Sequence, residues 1–437
     1  MGYIQDTIFA PSTAIGGAIA IIRISGPRAG DAEELLERRI TDKPGRLLFT
    51  RIRSDDEVID DVMAVFFRGP HSYTGEDMLE INCHGGPRTV QRILQLLSAC
   101  GFRPAEGGEF TRRAFLNGKM DLSQAEAVMD IITADAEKSR KIALDQLHGS
   151  VSRAVHSAEQ SLLDALAAMD AAIDYPEEVE EDCMEGLPDQ LSGAEHAIRE
   201  LIANGRAGRV LRDGARVVIL GKPNVGKSSI LNAFSGRERA IVTAIAGTTR
   251  DVLDEKIVFD GVPVRLIDTA GVHGTDNEVE QIGINRAMDE VDKADVILAV
   301  YDCSMPQSKE DFDLIETARN SGHEWILVGN KCDKPHSLDP DTLFVSAKTG
   351  EGLEQLKGEI IKKVMPGETE DLCVTNERHL LALENALRAV IAAEEGTEID
   401  CIATDIRTAL HHLGSITGSD VDADVIDRIF EKFCVGK

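Results

Sequence analysis

The sequence predicts a multi-domain protein, α/β plus all-α: an N-terminal α+β domain, a helical domain, and an α/β domain inserted into the helical one. Three observations predict it. Residues 1–118 mix short apolar runs with one amphipathic stretch. Residues 119–213 and 368–437 are rich in Ala, Leu and Glu at helical spacing. Between them, at 214–367, an apolar run leads into a glycine-rich loop and then a second helical run. A chain of 437 residues has room for about three domains.

In order along the chain, Ile19–Ile24 and Asp61–Phe67 read as strands. Arg88–Leu97 reads as an amphipathic helix ended by Cys100 and Gly101. From Ser123 the texture changes: 123–136, 137–149 and 152–173 carry helical periodicity, and Ser123 followed by Glu126 is a capping-box pattern. The acidic run Pro176–Glu185 reads as a solvated loop, and Leu187–Gly205 as another helix. Asn376–Glu395, Ala403–Leu413 and Val425–Phe433 are helical again. Helices therefore flank the α/β segment on both sides. Compactness favours one helical domain with an insertion over two separate helical domains.

Composition narrows the classes. Hydrophobic content is 43%, and no apolar run approaches the roughly 20 residues a membrane span needs. The N-terminus lacks a basic n-region, so Ala18–Ile22 reads as a strand rather than a signal. The eight cysteines are dispersed with no C-x-x-C pair, which points to reduced thiols in a cytoplasm and away from zinc. The net charge of −29 disfavours non-specific nucleic-acid binding. Local basic candidates are Arg103, Arg112, Arg113 and Lys119, then Arg206, Arg209, Arg212 and Arg216.

Gly221 to Ser228 reads G-K-P-N-V-G-K-S, after the apolar run Arg216–Leu220 and before the helical run Ser229–Phe234. Strand, glycine loop and helix are the context a phosphate-binding loop requires. Gly221 and Gly226 let backbone N–H groups close on phosphates at the positive end of a helix. Lys227 is placed to reach the β- and γ-phosphates, and Ser228 to hold Mg²⁺. Downstream stand Asp268-Thr269-Ala270-Gly271, then Asn330-Lys331-Cys332-Asp333, then Ser346-Ala347-Lys348. The carboxylate of Asp333 can accept two N–H bonds from a guanine edge; adenine offers no such pair, and an unpaired carboxylate is costly. Four boxes in order point to GTP with magnesium.

Several passages resemble the MnmE (TrmE) family of bacterial and organellar tRNA-modifying GTPases. They are Asp6–Ile8, Ile22–Gly26, Glu109–Lys119, Asp121–Glu126, the four boxes, Gly247–Asp251 and the ending Phe433-Cys434-Val435-Gly436-Lys437. The family ends in Cys-Ile-Gly-Lys, so Val435 differs by one methylene. The resemblance spans the whole chain. It implies a tetrahydrofolate-binding, dimerising domain at 1–118, a discontinuous helical domain at 119–213 and 368–437, and a Ras-like P-loop GTPase domain at 214–367. It also implies a homodimer, a flavoprotein partner, MnmG (GidA), that carries FAD in a heterotetramer or larger complex, and tRNA as substrate, with no membrane. The pair adds a carboxymethylaminomethyl-type group at C5 of the wobble uridine.

The resemblance carries GTP contacts to Asn224, Val225, Gly226, Lys227, Ser228 and Ser229, and to Thr243, Ala244, Ile245, Ala246, Gly247, Thr248 and Thr249. It also carries them to Asp268, Thr269, Ala270 and Gly271, and to Asn330, Lys331, Asp333, Ser346, Ala347 and Lys348. The water-orienting Gln of Ras-like GTPases is replaced by Val272. The family's catalytic Glu falls on Glu280, which is expected to position water, with Lys227 on the phosphates. Asn224 matches the family's potassium ligand, with Thr243, Ile245 and Thr248 completing a K⁺ cage; Ser228 and Thr249 take Mg²⁺. Arg23, Glu80, Lys119 and Lys437 match the positions that hold 5-formyltetrahydrofolate or a related one-carbon derivative. Cys434 reads either as a nucleophile or as a packing thiol. The rival functions are a ribosome-assembly GTPase acting as an RNA-binding switch, a transport regulator, and a folate-dependent transferase that carries a GTPase.

Overall fold

The computed structural model describes residues 6–54, 57–174, 176–236, 253–268, 288–335, 339–365 and 374–437. Contacts divide the chain into two compact units, residues 1–129 with 414–437, and residues 130–413.

The first unit is built on a six-stranded sheet of β1 (Ile8–Pro11), β2 (Ile19–Ser25), β3 (Leu48–Ser54), β4 (Glu57–Phe67), β5 (Met78–His84) and β6 (Arg103–Pro104). The spatial order is β3-β4-β5-β2-β1-β6, antiparallel except for the β1–β6 pair. Alternation puts Ala20, Ile22 and Ile24 of β2 and Leu79, Ile81 and Cys83 of β5 into one core. Helix α1 (Pro87–Ala99) closes that core with Val90, Ile93 and Leu97, at the i, i+3, i+7 spacing of a helix face. Helices α2 (Glu109–Leu116) and α3 (Leu122–Thr133) follow. The cap of α3 is not the expected Ser123–Glu126 pair. Asp121 Oδ1 accepts from the Gln124 N–H at 2.9 Å, and Gln124 Oε1 accepts from the Asp121 N–H at 2.9 Å, so the capping box starts two residues earlier.

The chain end belongs to this unit. Helix α12 (Ala423–Phe430) places Phe430 with Phe433, Leu122 and Ala125 in a small apolar cluster. Beyond it Val435 bridges Gly107, the Gly108 N–H donates to Cys434 O, and the Phe110 N–H donates to Lys437 O at 3.1 Å. Gly436 has φ 96°, and a Cβ there would lie 2.1 Å from Pro11 O, so the tail can lie this close only as glycine.

The second unit joins a helical layer to a second sheet. Helices α4 (Glu137–Leu147), α5 (Ser150–Asp174), α6 (Pro176–Asp213), α10 (Glu377–Glu395) and α11 (Ile399–Thr417) make the layer; α3 and α11 each run through a unit limit. The acidic run at 176–185 is helix rather than the expected loop. Pro176 sits at the first helical position, where its missing N–H costs nothing, and Glu is a good helix former. The second sheet holds β7 (Ala215–Leu220), β8 (Leu253–Phe259), β9 (Val262–Asp268), β10 (Val296–Asp302), β11 (Glu324–Asn330) and β12 (Leu343–Val345), with α7 (Lys227–Ser235), α8 (Lys309–Asn320) and α9 (Leu353–Val364). The order is β12-β11-β10-β7-β9-β8, parallel except for the β8–β9 hairpin. Its central strands are apolar on both faces, as a sheet covered by helices requires. This is the Ras-like P-loop α/β fold, and the architecture is N-terminal α+β, helical and inserted α/β. No helix among the described residues is long and apolar enough to cross a membrane.

Candidate nucleotide site

A parallel α/β sheet binds its ligand at the carboxyl ends of its strands. Here those ends are Leu220 of β7, Asp268 of β9, Asp302 of β10 and Asn330 of β11. The loop from Gly221 to Gly226 runs into α7, whose N-cap Gly226 has φ 100°. A Cβ at Gly226 would sit 2.2 Å from Asn330 Nδ2, so glycine is needed for the approach as well as for the turn. Asn224 is also left-handed, at φ 66°, and its side chain is exposed.

Two side chains of the base-reading box hook onto this loop. Asn330, buried, donates from Nδ2 to Val225 O at 2.8 Å and accepts at Oδ1 from the Ala347 N–H at 3.2 Å. Lys331, with φ 70°, donates to Asn224 O at 2.8 Å and to Asp302 Oδ2 at 2.6 Å. Asp333 is exposed, and a bond from Ser346 Oγ at 2.7 Å, its main influence, holds its carboxyl below the usual range. An ionised, acceptor-only group at the end of β11 suits the paired N–H donors of guanine.

The phosphate end is equally specific. Ser228 Oγ donates to Asp268 Oδ2 at 2.6 Å, and Asp268 has no exposed surface. Two hard oxygen ligands this close suit Mg²⁺. Lys227 is buried and donates to Gly221 O at 2.5 Å and Lys222 O at 2.9 Å. Burial pushes its pKa down, against the pull of Asp268. Ser229 follows on α7 with an exposed side chain, and Lys348 follows Ala347 beside the Ser346 loop. Thr243, Ala244, Ile245, Ala246, Gly247, Thr248, Thr249, Thr269, Ala270, Gly271 and Glu280 lie outside the described residues.

Sequence reasoning missed two supports of this site. Asp302 fixes Lys331, and Lys222 donates to Ser308 Oγ and pairs with Asp311 Oδ2, each at 2.7 Å, tying the loop to the start of α8. The strand-end rule points to Asp302 from its place after an apolar run. Ser308 with Asp311 is a capping box, which sequence also displays.

In the first unit, Arg23 and Glu80 are cross-strand partners on β2 and β5, joined by a 2.9 Å bond. The Arg23 guanidinium stands 5.0 Å from the Tyr73 ring and 5.6 Å from the Phe110 ring. Phe110 in turn donates its N–H to Lys437 O. Lys119 is exposed, donates to Pro70 O at 2.9 Å and packs by the loop that carries Tyr73. Tyr73 and Phe110 carried no signal in the sequence, since nothing local brings either to β2.

Six of the eight expected basic RNA candidates are held by carboxylates; Lys119 is exposed and bonds a backbone carbonyl, and the Arg206 side chain lies outside the described residues. Arg113, 4% exposed, bonds Asp6, Glu76 and Glu109, while Arg103 bonds Asp6 and Glu109. Arg112 pairs with Asp427, Arg209 with Asp295, Arg212 with Asp130 and Arg216 with Glu290. Spacing shows that a charge is basic but not that a carboxylate already holds it.

A family model described as "GTP-binding protein TrmE N-terminus" matches residues 7–119, and one described as "MnmE helical domain" matches 122–434. The chain is 41% identical to the tRNA modification GTPase MnmE of Natranaerobius thermophilus, over 99% of this chain and all of that protein. It is 39% identical to the protein of the same name from Clostridioides difficile, over the whole of both. The corresponding protein of Thermotoga maritima is 40% identical over 99% of this chain and all of its own length. With a P-loop, a Mg²⁺-type Ser–Asp pair and a guanine-type box converging on one sheet edge, the chain is a GTPase and belongs to the MnmE (TrmE) family.

Proposed function

We propose that this GTPase is K⁺-dependent and works with a flavoprotein partner, MnmG, in the cytoplasm. Together they use a tetrahydrofolate one-carbon unit to add a carboxymethylaminomethyl-type group at C5 of the wobble uridine of certain tRNAs. The observation that carries the nucleotide half is the joining of the box to the loop: Asn330 and Lys331 both bond P-loop carbonyls, so base and phosphates are held by one rigid piece. Lys227 neutralises the β- and γ-phosphates, Ser228 and Thr249 take Mg²⁺, and Glu280 orients the attacking water. K⁺ is caged by Asn224, Thr243, Ile245 and Thr248, where a hard cation offsets charge developing on the phosphates. Its support here is the left-handed, exposed Asn224. Activity equal in Na⁺ and K⁺ would refute the cage.

The folate half rests on Arg23, Glu80, Lys119 and Lys437. A carboxylate suits the adjacent N–H donors of a pterin, a cation suits its glutamyl tail, and the half-buried Tyr73 ring lies beside Arg23. Exposed Ile15, in the loop before β2, and exposed Ile19, at its start, support dimerisation through the N-terminal sheet. The domain limits proposed are 1–118, 119–213, 214–367 and 368–437. The ribosome-assembly alternative calls for an RNA-binding module after the α/β domain; residues 377–430 instead form α10, α11 and α12. Mass spectrometry of wobble nucleosides from cells lacking this protein tests the proposal: unmodified uridine is expected, and a normal nucleoside profile would refute it.

A further inference from the structure

We infer that the exposed cationic loop at 37–47, with the adjoining edge strand β3, is the surface on which this protein receives the phosphate backbone of RNA. The inference rests on the tRNA reading above and gives it a location.

In a chain of net charge −29, residues 37–54 hold six cationic side chains against two acidic ones. Arg51 and Arg53 are engaged by Glu37 and Asp61. Arg38, Arg39, Lys43 and Arg46 are exposed and form no ion pair with any described residue. Arg68 is exposed and equally unpaired, two residues beyond Phe66, whose carbonyl accepts the Gly45 N–H at 2.8 Å. Among the described residues, six of the eight cations in the other clusters that sequence singles out are paired with carboxylates, whereas four neighbouring cations of this loop have no ion-pair partner.

The loop is built rather than slack. Ile40 is fully buried beneath it. Glu33 Oε2 accepts from the Ile40 N–H at 3.1 Å, the Thr41 N–H at 3.0 Å and Thr41 Oγ1 at 2.8 Å. Burial alone would raise the Glu33 pKa, but these donors, with Arg39 nearby, hold it below the usual range, so the staple stays ionised. The Arg38 N–H donates to Thr50 Oγ1 and the Glu37 N–H to Arg51 O, fastening the loop to β3. The cations are therefore presented from fixed backbone, which lowers the ordering cost of binding. Phe49, 53% exposed on β3, adds a ring face of the kind on which an unstacked base settles. Exposed cations on an anchored loop, with an exposed aromatic side chain on the adjoining strand, match an RNA backbone, whose affinity comes from phosphate neutralisation.

The test measures tRNA binding by the full-length protein against salt concentration. The variant Arg38→Ala/Arg39→Ala/Lys43→Ala/Arg46→Ala is compared with wild type and with Arg38→Lys/Arg39→Lys/Arg46→Lys. For the alanine variant, affinity at low salt should fall at least about tenfold, and the slope of log affinity against log salt should shrink by roughly three. The lysine variant should bind nearly as wild type, and GTP affinity should stay unchanged in both. Phe49→Ala should weaken binding without changing the slope. Wild-type tRNA affinity and slope in the alanine variant would overturn the surface and leave the tRNA reading standing. A wild-type protein that binds no tRNA would overturn both. If the alanine variant instead loses self-association in sedimentation while binding tRNA normally, the loop serves a second copy of the chain and the inference fails.

Discussion

The nucleotide site and the Arg23–Glu80 site are both assembled from distant segments, but by opposite means. At the nucleotide site every group sits at a strand end or in the loop or helix start that follows one, in a mostly parallel sheet, so the spacing of apolar runs fixes where the groups converge. At the Arg23–Glu80 site, convergence depends on a cross-strand register, on the loop carrying Tyr73, and on the chain terminus docking beside Phe110. The first site survives translation into a one-dimensional motif; the second depends on pairings distant in sequence.

Removing the guanine acceptor should give the largest effect and test whether the nucleotide site is as modular as its motifs suggest. Asp333→Ala is expected to weaken GTP about a thousandfold, since two bonds to a charged acceptor are lost. Affinity for inosine triphosphate, which lacks the exocyclic amine, should fall less, so the preference for GTP over it should vanish. An unchanged preference in titration calorimetry would break the base assignment. Next comes the ion network behind the other site. Arg113 is buried among Asp6, Glu76 and Glu109, and Arg113→Ala should cost about 3 kcal/mol by removing the buried cation that bonds all three, although Arg103 still holds Asp6 and Glu109. Burial alone would raise the pKa values of Asp6 and Glu109; the Arg103 and Arg113 bonds bring both below their ordinary values. Groups with depressed folded pKa values stabilise the fold above their unfolded values, so this stability is present at neutral pH and is lost as pH falls through the acid range. A melting temperature as acid-sensitive in Arg113→Ala as in wild type would show that the network contributes nothing to acid lability.

Much of the α/β fold was legible because its signals are local: β7, the loop, α7 and the box after β11 each declare themselves within a few residues. The helices of the second unit were legible from periodicity. The failures have physical causes. The run at 176–185 looked like a loop by charge, yet Glu-rich sequence after Pro176 makes a sound helix start. The α3 cap was misplaced because Ser123 and Asp121 both suit capping, and the bond pattern alone tells them apart. Arg209, Arg212 and Arg216 are not free for RNA because pairing with Asp295, Asp130 and Glu290 is long-range in sequence. Of the Arg23–Glu80 site, the residues alone reveal no ligand; family resemblance supplied the positions, and the register brings Arg23 and Glu80 together.

The docked tail offers a sharper cut between the two regions. Gly436→Ala places a Cβ against Pro11 O and demands a left-handed backbone from alanine, so the terminal segment should detach at a cost of about 2–3 kcal/mol. GTP affinity should stay at wild-type level. The expected signature is protease cleavage near 431–437 together with unchanged nucleotide titration. A tail that stays protected would mean that Pro11 yields and that the close approach is not a requirement.

The smallest effect concerns the edge of the α/β sheet. Lys256 on β8 donates to Asp135 Oδ2 at 2.9 Å, and Asp135 lies in the turn between α3 and α4. The lysine is 57% exposed, so solvent screens the pair, and Lys256→Ala or Asp135→Ala should cost under about 1 kcal/mol. The double variant should match the sum of the singles to within a few tenths. The firmer link at this edge is apolar: Ile142 of α4 packs against the cluster that holds Ile257 and Phe259. Ile142→Ala should therefore cost more than either charge variant, about 2 kcal/mol or above. If chemical denaturation ranked the ion pair above Ile142, the helical layer would be held to the α/β sheet by charge rather than by a shared core.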